Sequence, residues 1–222
     1  MSRRVWVKFI KKFVKALLPP IVPYLITKLR VTFEKKEGGL FNGDDELFKR
    51  VIGDVKVYAE YGCGASTIWV AKNTMCEICS VDSSSEWIRK VENECGSRNR
   101  LTLHLADLGP VSAWGRPESY EKAQNFNDYT DWIWTNTRKP DLVLIDGRFR
   151  VCCFLTCLLK GKSGTKIIFD DYTNRPHYHL VEKYIKPIEI CGRQALFLIP
   201  DKRTVDINNV ILSIGQFRFV LD

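Results

Sequence analysis

The feature that most constrains this chain is a series of five short apolar segments, each ending at or beside an acidic residue. Segments with helical spacing of apolar residues follow most of them, and alternation of strands with helices predicts a doubly wound, parallel α/β sheet. The predicted strands are 56–61, 77–81, 101–105, 141–145 and 166–169, the predicted helices are 66–73, 85–94, 150–159 and 176–185, and the acids are Glu60, Asp82, Asp107, Asp146 and Asp170.

Two further apolar segments, 188–191 and 195–199, are expected to complete a mostly parallel, Rossmann-like sheet of about seven strands with helices on both faces. After Pro200 the pattern weakens. There, 210–214 and 217–221 are expected either to add strands or to pack on the surface.

The acids are informative because of where they fall. In an open parallel sheet, ligands bind outside the carboxyl ends of the strands. One aspartate at such an end is explained by helix capping. Five in register would repel one another, so we expect them to surround a ligand rich in hydroxyl, amine and cationic groups.

The loop after the first strand contains two glycines, Gly62 and Gly64, and Ser66 or Thr67 can start the next helix. Glycines permit a tight turn and a close approach of the backbone to a ligand. Asp82 lies 22 residues after Glu60, at the end of the next strand, where an acid can bind both hydroxyls of a ribose.

Segments 60–67, 81–82, 106–107 and 142–147 together resemble the motif series of the class I S-adenosylmethionine (SAM)-dependent methyltransferases, over roughly residues 55 to 199. The resemblance implies SAM as cofactor. By position, Gly62 and Gly64 would lie beneath its methionine part, Glu60 near its amino group, Asp82 on the ribose, and Asp107 on the adenine amino group unless Asp107 is a surface acid. The implied cofactor-binding set is Glu60, Tyr61, Gly62, Gly64, Ser66, Thr67, Asp82, Ser83, Asp107 and Asp146.

Segments 141–150 and 168–172 carry a narrower resemblance, to small bacterial methyltransferase-like proteins of surface-polysaccharide and sugar modification. They also resemble metal-dependent O-methyltransferases, which would make Asp146, Asp170 and Asp171 ligands of Mg²⁺. Arg148 and Arg150 place cations where that family has none. Since an arginine can fill the electrostatic role of a metal, Mg²⁺ is not favoured and no metal ligand is assigned.

Methyl transfer to an alcohol needs an aligned acceptor and a base near the methyl group. Asp146 is the first candidate base, Asp170 or Asp171 the next, and His177 and His179 are rivals that are equally well explained as polar residues at a helix start. Arg148 is expected either to orient an acidic acceptor or to form a salt bridge with Asp146 or Asp170. The candidate catalytic set is Asp146, Arg148, Asp170, Asp171 and His177.

An insertion at 108–139 is rich in aromatic residues among polar ones, which suits a sugar acceptor. They are Trp114, Tyr120, Phe126, Tyr129, Trp132 and Trp134. A satellite core is the alternative, favoured for Trp132 and Trp134.

The leading function is O-methylation of a sugar or glycan intermediate. The alternatives are a non-catalytic SAM-fold scaffold or partner protein, and another transferase of polysaccharide assembly, which the lack of an Asp-x-Asp motif after a strand disfavours.

The net charge of +8 is concentrated at the N-terminus. Residues 1–36 hold ten of the 34 Lys and Arg and one of the 26 Asp and Glu, which leaves 24 bases and 25 acids in residues 37–222. The body is therefore not expected to bind nucleic acid.

Residues 2–18 predict an amphipathic helix with lysines on one face and Trp6, Phe9 and Phe13 on the other. Such a helix suits an anionic membrane surface, and docking on the body or on a second subunit is the alternative. We therefore expect a basic N-terminal segment, 1–36, and a methyltransferase-like domain, 37–222, in a cytoplasmic protein on the inner membrane face, with a homo-oligomer possible.

The eight cysteines include Cys76 and Cys79, whose separation matches that of metal ligands. Residues three apart on a strand point to opposite faces, so reduced and buried thiols are the preferred expectation.

Overall fold

The computed structural model describes residues 39–96, 99–136 and 138–221, which contain a seven-stranded sheet. Its order is β3-β2-β1-β4-β5-β7-β6. Strands β1 to β5 pair in parallel, whereas β7 is antiparallel to both β5 and β6. The predicted mostly parallel, doubly wound sheet is confirmed. The strands are β1 (Val57–Tyr61), β2 (Glu77–Asp82), β3 (Leu101–Leu105), β4 (Leu142–Ile145), β5 (Lys166–Phe169), β6 (Glu189–Cys191) and β7 (Gln194–Leu198).

Six α-helices lie in the described part of the chain, and three of the four predicted helices match them to within one residue. The fourth, 176–185, is a 3-10 helix instead. The α-helices are α1 (Glu46–Ile52), α2 (Ala65–Asn73), α3 (Ser85–Cys95), α4 (Phe126–Thr135), α5 (Arg150–Lys160) and α6 (Ile207–Phe217). The 3-10 helices are Leu40–Gly43, Ala113–Gly115, Ala123–Asn125, Pro176–Lys183 and Lys202–Thr204.

Apolar side chains cover both faces of the sheet, because successive strand residues point to opposite sides. In β4, Leu142 and Leu144 enter the layer shared with α1, α2 and α3. Val143 and Ile145 enter the layer shared with α4, α5 and α6. Strands buried on both faces read as continuous apolar runs, which is why they were recognisable in the sequence.

The C-terminal region does not form the added strands that were one of its two predicted alternatives. Instead of strands at 210–214 and 217–221, it forms α6, which begins after Asp206, whose carboxylate accepts a hydrogen bond from the backbone N–H of Asn209 at 3.0 Å. Val210 and Ile214 are buried at helical spacing. The exposed Ile211 and Leu212 make residues 210–212 a continuous apolar run, which resembles part of a strand.

Helix α1 lies between the predicted linker and the first predicted strand, where no helix was expected. It buries Leu47, Phe48, Val51 and Ile52 in pairs one turn apart. Seven residues give too short a pattern for periodicity alone to identify.

The aromatic insertion joins the main core. Phe126 and Tyr129 are fully buried, and Trp134 donates a hydrogen bond from Nε1 to the hydroxyl of Tyr61 at 2.8 Å. Trp132 packs against the same layer and stacks on His104, with ring centroids 4.6 Å apart. The expectation of a satellite core is therefore corrected: these side chains extend the main core. Trp114 and Tyr120 are exposed.

Seven of the eight cysteines are buried and all eight are free thiols. Cys76, one residue before β2, packs in the layer with α1 to α3, and Cys79 packs in the opposite layer, so the two thiols point to opposite faces as expected.

The predicted N-terminal amphipathic helix lies outside the described residues, and from Leu40 onward the chain forms one compact unit. Among the helices that the structure describes, none has the length and apolar character needed to cross a membrane.

The two-layer core predicts how two leucines differ. Leu144 on the central strand β4 is fully buried, so Leu144→Ala is expected to lower the free energy of unfolding by about 2–5 kcal/mol. Leu198→Ala, on the half-exposed side of β7, is the matched control and is expected to cost about 0.5 kcal/mol or less. Urea unfolding measures both, and equal losses would contradict this assignment of the core.

Candidate functional site

The glycine-containing loop after β1 is fastened to the end of β2. Asp82 accepts hydrogen bonds from the backbone N–H of Cys63 at 2.8 Å and of Ser84 at 2.7 Å. Burial raises the pKa of Asp82 to about 6, against the opposing effect of these backbone N–H groups. The predicted pair of glycine loop and acid is thus brought together at the carboxyl edge of the sheet.

Gly62 also lies directly against the loop after β4. It has φ +94°, and a Cβ there would lie 2.7 Å from Cα of Gly147. A Cβ on Gly147 would in turn lie 2.9 Å from Cα of Gly62 and 2.0 Å from the hydroxyl of Tyr129. Two backbones touch here, so both positions require glycine. Gly64 is roomier, since the nearest atom to a Cβ there is 3.7 Å away, on Trp87.

Glu60 lies beneath the loop. It is fully buried and accepts hydrogen bonds from the hydroxyls of Ser66 and Thr67, the latter at 2.6 Å. The hydroxyl oxygen of Thr67 accepts a hydrogen bond from the N–H of Gly64 at 2.9 Å. Burial raises the pKa of Glu60 to about 8. These residues, expected near the ligand, hold the loop onto the start of α2.

Two other expected cofactor residues are placed differently from the prediction. The ring of Tyr61 is fully buried in the core, where its hydroxyl donates to the carbonyl of Thr130 at 2.6 Å, because residue 61 points to the face opposite residue 60. The side chain of Asp107 is 63% exposed and pairs with Lys122. Asp107 is therefore the surface acid that was the alternative, and the five acids do not share one crevice.

Ser83 contacts the aromatic insertion. Its hydroxyl donates to the carbonyl of Gly115 at 2.6 Å. Next to Gly115, Trp114 stacks on Trp87, with ring centroids 5.9 Å apart and planes 16° apart. An exposed aromatic side chain therefore lies at the rim of the Asp82 site.

The acids after β4 and β5 do come together, around Arg150. Its guanidinium, 4% exposed, donates to the carbonyl oxygens of Asp146 (3.1 Å), Gly147 (3.0 Å) and Asp170 (2.8 Å) and to the carboxylate of Asp146 (2.9 Å). Asp171 lies 3.5 Å from the same side chain. One buried cation therefore joins the two loops.

Arg193, which sequence reasoning missed, completes this group. It donates from Nε to both carboxylate oxygens of Asp170 at 3.0 Å and lies 3.2 Å from Asp171. It sits in the turn between β6 and β7, and Ala195 pairs with Phe169 at the end of β5. Two predicted strands separated by three residues indicate a hairpin, but nothing in that pattern shows that its turn lies beside β5.

Arg148 and His177 are the remaining members of the candidate catalytic set. The positive charge of Arg148 opposes the effect of burial on the pKa of Asp82, so it acts at the Asp82 side of the edge. Asp146 and Asp170 were the acids considered as partners of Arg148. In the structure Arg150 pairs with Asp146, and Arg193 pairs with Asp170. His177 is exposed and packs on Tyr178, with ring centroids 4.4 Å apart.

Asp146 has the properties of a base near neutral pH. Its side chain is 28% exposed, and Asp170 is fully buried beside it. Burial, followed by the negative charge of Asp170, raises the pKa of Asp146 to about 7, although Arg150 lowers it. A carboxyl group with such a pKa can take up a proton at physiological pH.

The buried carboxyl of Glu60 predicts a pH-dependent stability. The pKa of Glu60 is about 8 in the folded chain and lower in the unfolded chain. Its contribution to the free energy of unfolding therefore falls as the pH rises from the unfolded-state pKa towards 8. Glu60→Gln removes this titration. The Tm of the variant relative to wild type is expected to be higher at about pH 9 than at about pH 5. Thermal unfolding at both pH values tests this, with the exposed Glu118→Gln as control; a constant difference would contradict it.

Known structures share this architecture. A methyltransferase-like protein from Silicibacter pomeroyi superposes with a TM-score of 0.70 at 29% identity, over 79% of this chain and 93% of that chain. The N-methyltransferase NodS from Bradyrhizobium japonicum, solved with S-adenosyl-L-homocysteine (SAH), gives a TM-score of 0.50 at 14% identity, over 74% and 90%. Neither a protein-family model nor a curated protein matches the sequence. The chain has the Rossmann-like fold of the class I SAM-dependent methyltransferases.

Proposed function

We propose that this protein is a SAM-dependent methyltransferase that O-methylates a sugar or glycan intermediate. The observation that carries the proposal is the contact between the glycine loop and Asp82 at the carboxyl edge of a methyltransferase-type sheet. It is made by the hydrogen bond from the backbone N–H of Cys63 to the Asp82 carboxylate at 2.8 Å. A ligand at this edge meets backbone from Gly62 to Gly64 and a carboxylate at the end of β2, a pairing that suits a nucleoside.

In this proposal Asp82 and Ser83 would hold the ribose side of SAM, and the loop from Gly62 to Gly64 would support its methionine part. SAM would supply the methyl group. Glu60, Ser66 and Thr67 act indirectly by holding that loop. Asp107 is left out of the site, because it is exposed and paired with Lys122.

Asp146 is the proposed base. In-line transfer of a methyl group to an alcohol requires that the hydroxyl lose its proton, and the pKa of Asp146, raised to about 7 by burial and by Asp170, suits that role. Asp170 acts on Asp146 through its charge, and Asp170 and Asp171 are held by their arginine partners. Arg148 is proposed to orient an acceptor carrying negative charge, and His177 remains a candidate at the exposed rim.

The sugar acceptor is supported by the exposed aromatics of the insertion. Of its six aromatic residues, Trp114 and Tyr120 remain exposed. Trp114 lies next to Gly115, which contacts Ser83. An indole beside polar groups offers apolar stacking together with hydrogen bonds, as sugar rings require.

The cofactor assignment predicts the effect of one substitution. Asp82→Ala is expected to weaken SAH binding by about 1–3 kcal/mol, because the ribose hydroxyls lose their acceptor. Isothermal titration calorimetry measures this affinity. The control is Asp201→Ala, which removes an exposed carboxylate that pairs with Arg203. Unchanged affinity in a folded Asp82→Ala variant would mean that the cofactor binds elsewhere.

The same calorimeter distinguishes the alternative functions. Binding of a nucleotide sugar but not of SAM would favour a glycan-assembly transferase of another type. SAM binding without methyl transfer to any lipid-linked glycan extract would favour a non-catalytic scaffold.

We further propose that residues 2–18 hold the protein on the anionic inner face of a membrane. Lys8, Lys11, Lys12 and Lys15 fall on one side of the predicted helix and supply the charge. Deleting residues 1–30, or replacing these four lysines by glutamine, is expected to release the protein from anionic liposomes without unfolding it. Sedimentation with anionic and with neutral liposomes measures this, and unchanged sedimentation would contradict it.

A further inference from the structure

Three carboxylates after β4 and β5 are spaced as a divalent cation requires. Asp146, Asp170 and Asp171 each offer an oxygen, and these oxygens lie within 4.8 Å of one another. Oxygen ligands of this kind suit Mg²⁺ or Ca²⁺. The spacing of the oxygens is therefore compatible with a metal site. Whether they can bind a metal depends on the hydrogen-bond donors that already contact them.

The carboxylate oxygens already accept hydrogen bonds from nitrogen donors. Asp170 accepts at both oxygens from Nε of Arg193, at 3.0 Å, and at one of them from the amide of Gln194, also at 3.0 Å. Asp171 has Arg193 3.2 Å from one oxygen and Arg175 2.9 Å from the other. A metal ion would need the lone pairs that these donors use.

The charges are balanced without a metal. Arg150, Arg175 and Arg193 contact the three acids, so three positive charges face three negative ones. Asp170 is fully buried, and the side chain of Arg193 is 14% exposed. Adding a divalent cation would require displacing a guanidinium from its partner within a buried network, which is unfavourable.

The backbone keeps Arg193 in place. Its own N–H donates to the carboxylate of Asp44 at 3.1 Å, and the hydroxyl of Thr173 donates to the carbonyl of Gly192 at 3.1 Å. Gly192 has φ +55°, and a Cβ there would lie 2.6 Å from the carboxylate carbon of Asp44. The turn is therefore fastened on both sides, and the guanidinium is aimed at Asp170 by the fold.

We propose that Arg193 takes the place of a divalent cation in the cluster of Asp146, Asp170 and Asp171, so that the protein works without Mg²⁺. Its planar guanidinium reaches both oxygens of Asp170 and one of Asp171, the bridging contacts that a cation would otherwise make. Arg193 is a positioning residue: it fixes Asp170, which lies beside Asp146. This inference concerns cation binding alone and does not depend on the identity of the methyl acceptor.

The test is a gain of metal binding, which a merely structural residue would not produce on removal. Mn²⁺ is titrated into the full-length protein and followed by calorimetry and by electron paramagnetic resonance. Wild type is expected to show no saturable site. Arg193→Met leaves three acids facing two arginines and is expected to show a saturable Mn²⁺ site, at least about tenfold tighter than the weakest binding that the wild-type titration could detect. The added change Asp170→Asn is expected to abolish the gain.

The matched control is Arg203→Met, which removes an exposed arginine that pairs with Asp201 and is expected to gain nothing. Circular dichroism establishes that each variant is folded. Should Arg193→Met fail to fold, Arg193→Lys serves in its place, since a lysine keeps the charge but cannot contact both oxygens in the same way, and a smaller gain is expected.

Two results would overturn the proposal. One is a saturable Mn²⁺ site in wild type that Asp170→Asn removes. The other is a folded Arg193 variant with no gain in Mn²⁺ affinity. A wild type that binds neither SAH nor Mn²⁺ would instead refute the proposed function and leave the inference about Arg193 standing.

Discussion

The interaction on which the functional edge depends is the burial of one guanidinium, that of Arg150, among backbone carbonyl oxygens. The loops after β4 and β5 are separate in sequence, yet Asp146, Gly147 and Asp170 all present carbonyl oxygens to this side chain. A buried arginine with unfilled donors is costly, so the loops must converge for the chain to fold. Phe149, which precedes Arg150, and Asp171, which follows Asp170, adopt left-handed conformations with φ of 52° and 57°. Backbone strain of this kind persists only where surrounding contacts compensate for it.

Around this centre the edge of the sheet divides into two parts of different character. Near β1 and β2, Asp82 accepts hydrogen bonds from backbone N–H groups, and the stacked indoles of Trp87 and Trp114 lie at its rim. Near β4 and β5, carboxylates and guanidinium groups alternate in an almost closed network. A cofactor that carries a nucleoside at one end and a charged amino acid at the other matches such a division. Asp146 lies at the open side of the second part, where its side chain is 28% exposed, and this exposure supports the proposal that it contacts the acceptor.

Much of this arrangement was predictable from the sequence because it depends on local pattern. The strands of a sheet buried on both faces are continuous apolar runs, and the glycine loop and Asp82 follow from their positions at strand ends. The predictions that failed concern which way a side chain points or which residues far away in the sequence it contacts. Whether Glu60 and Asp107 face a ligand is decided by strand alternation and by Ser66, Thr67 and Lys122, which no spacing rule connects to them. Arg193 was missed because its partner, Asp170, is 23 residues away and is met only when β7 pairs with β5. Helix α6 was missed because apolar residues cover its exposed side as well.

The contact between Gly62 and Gly147 has a consequence for how this protein can vary. The turns after β1 and β4 share a surface with no side chain between them, so neither turn can shift without carrying the other. A larger residue at one position cannot be accommodated by shrinking the other, which is already glycine. Libraries made to alter acceptor choice should therefore leave both glycines fixed and diversify the segment around Trp114, whose side chain is exposed and whose neighbour Gly115 accepts a hydrogen bond from the hydroxyl of Ser83.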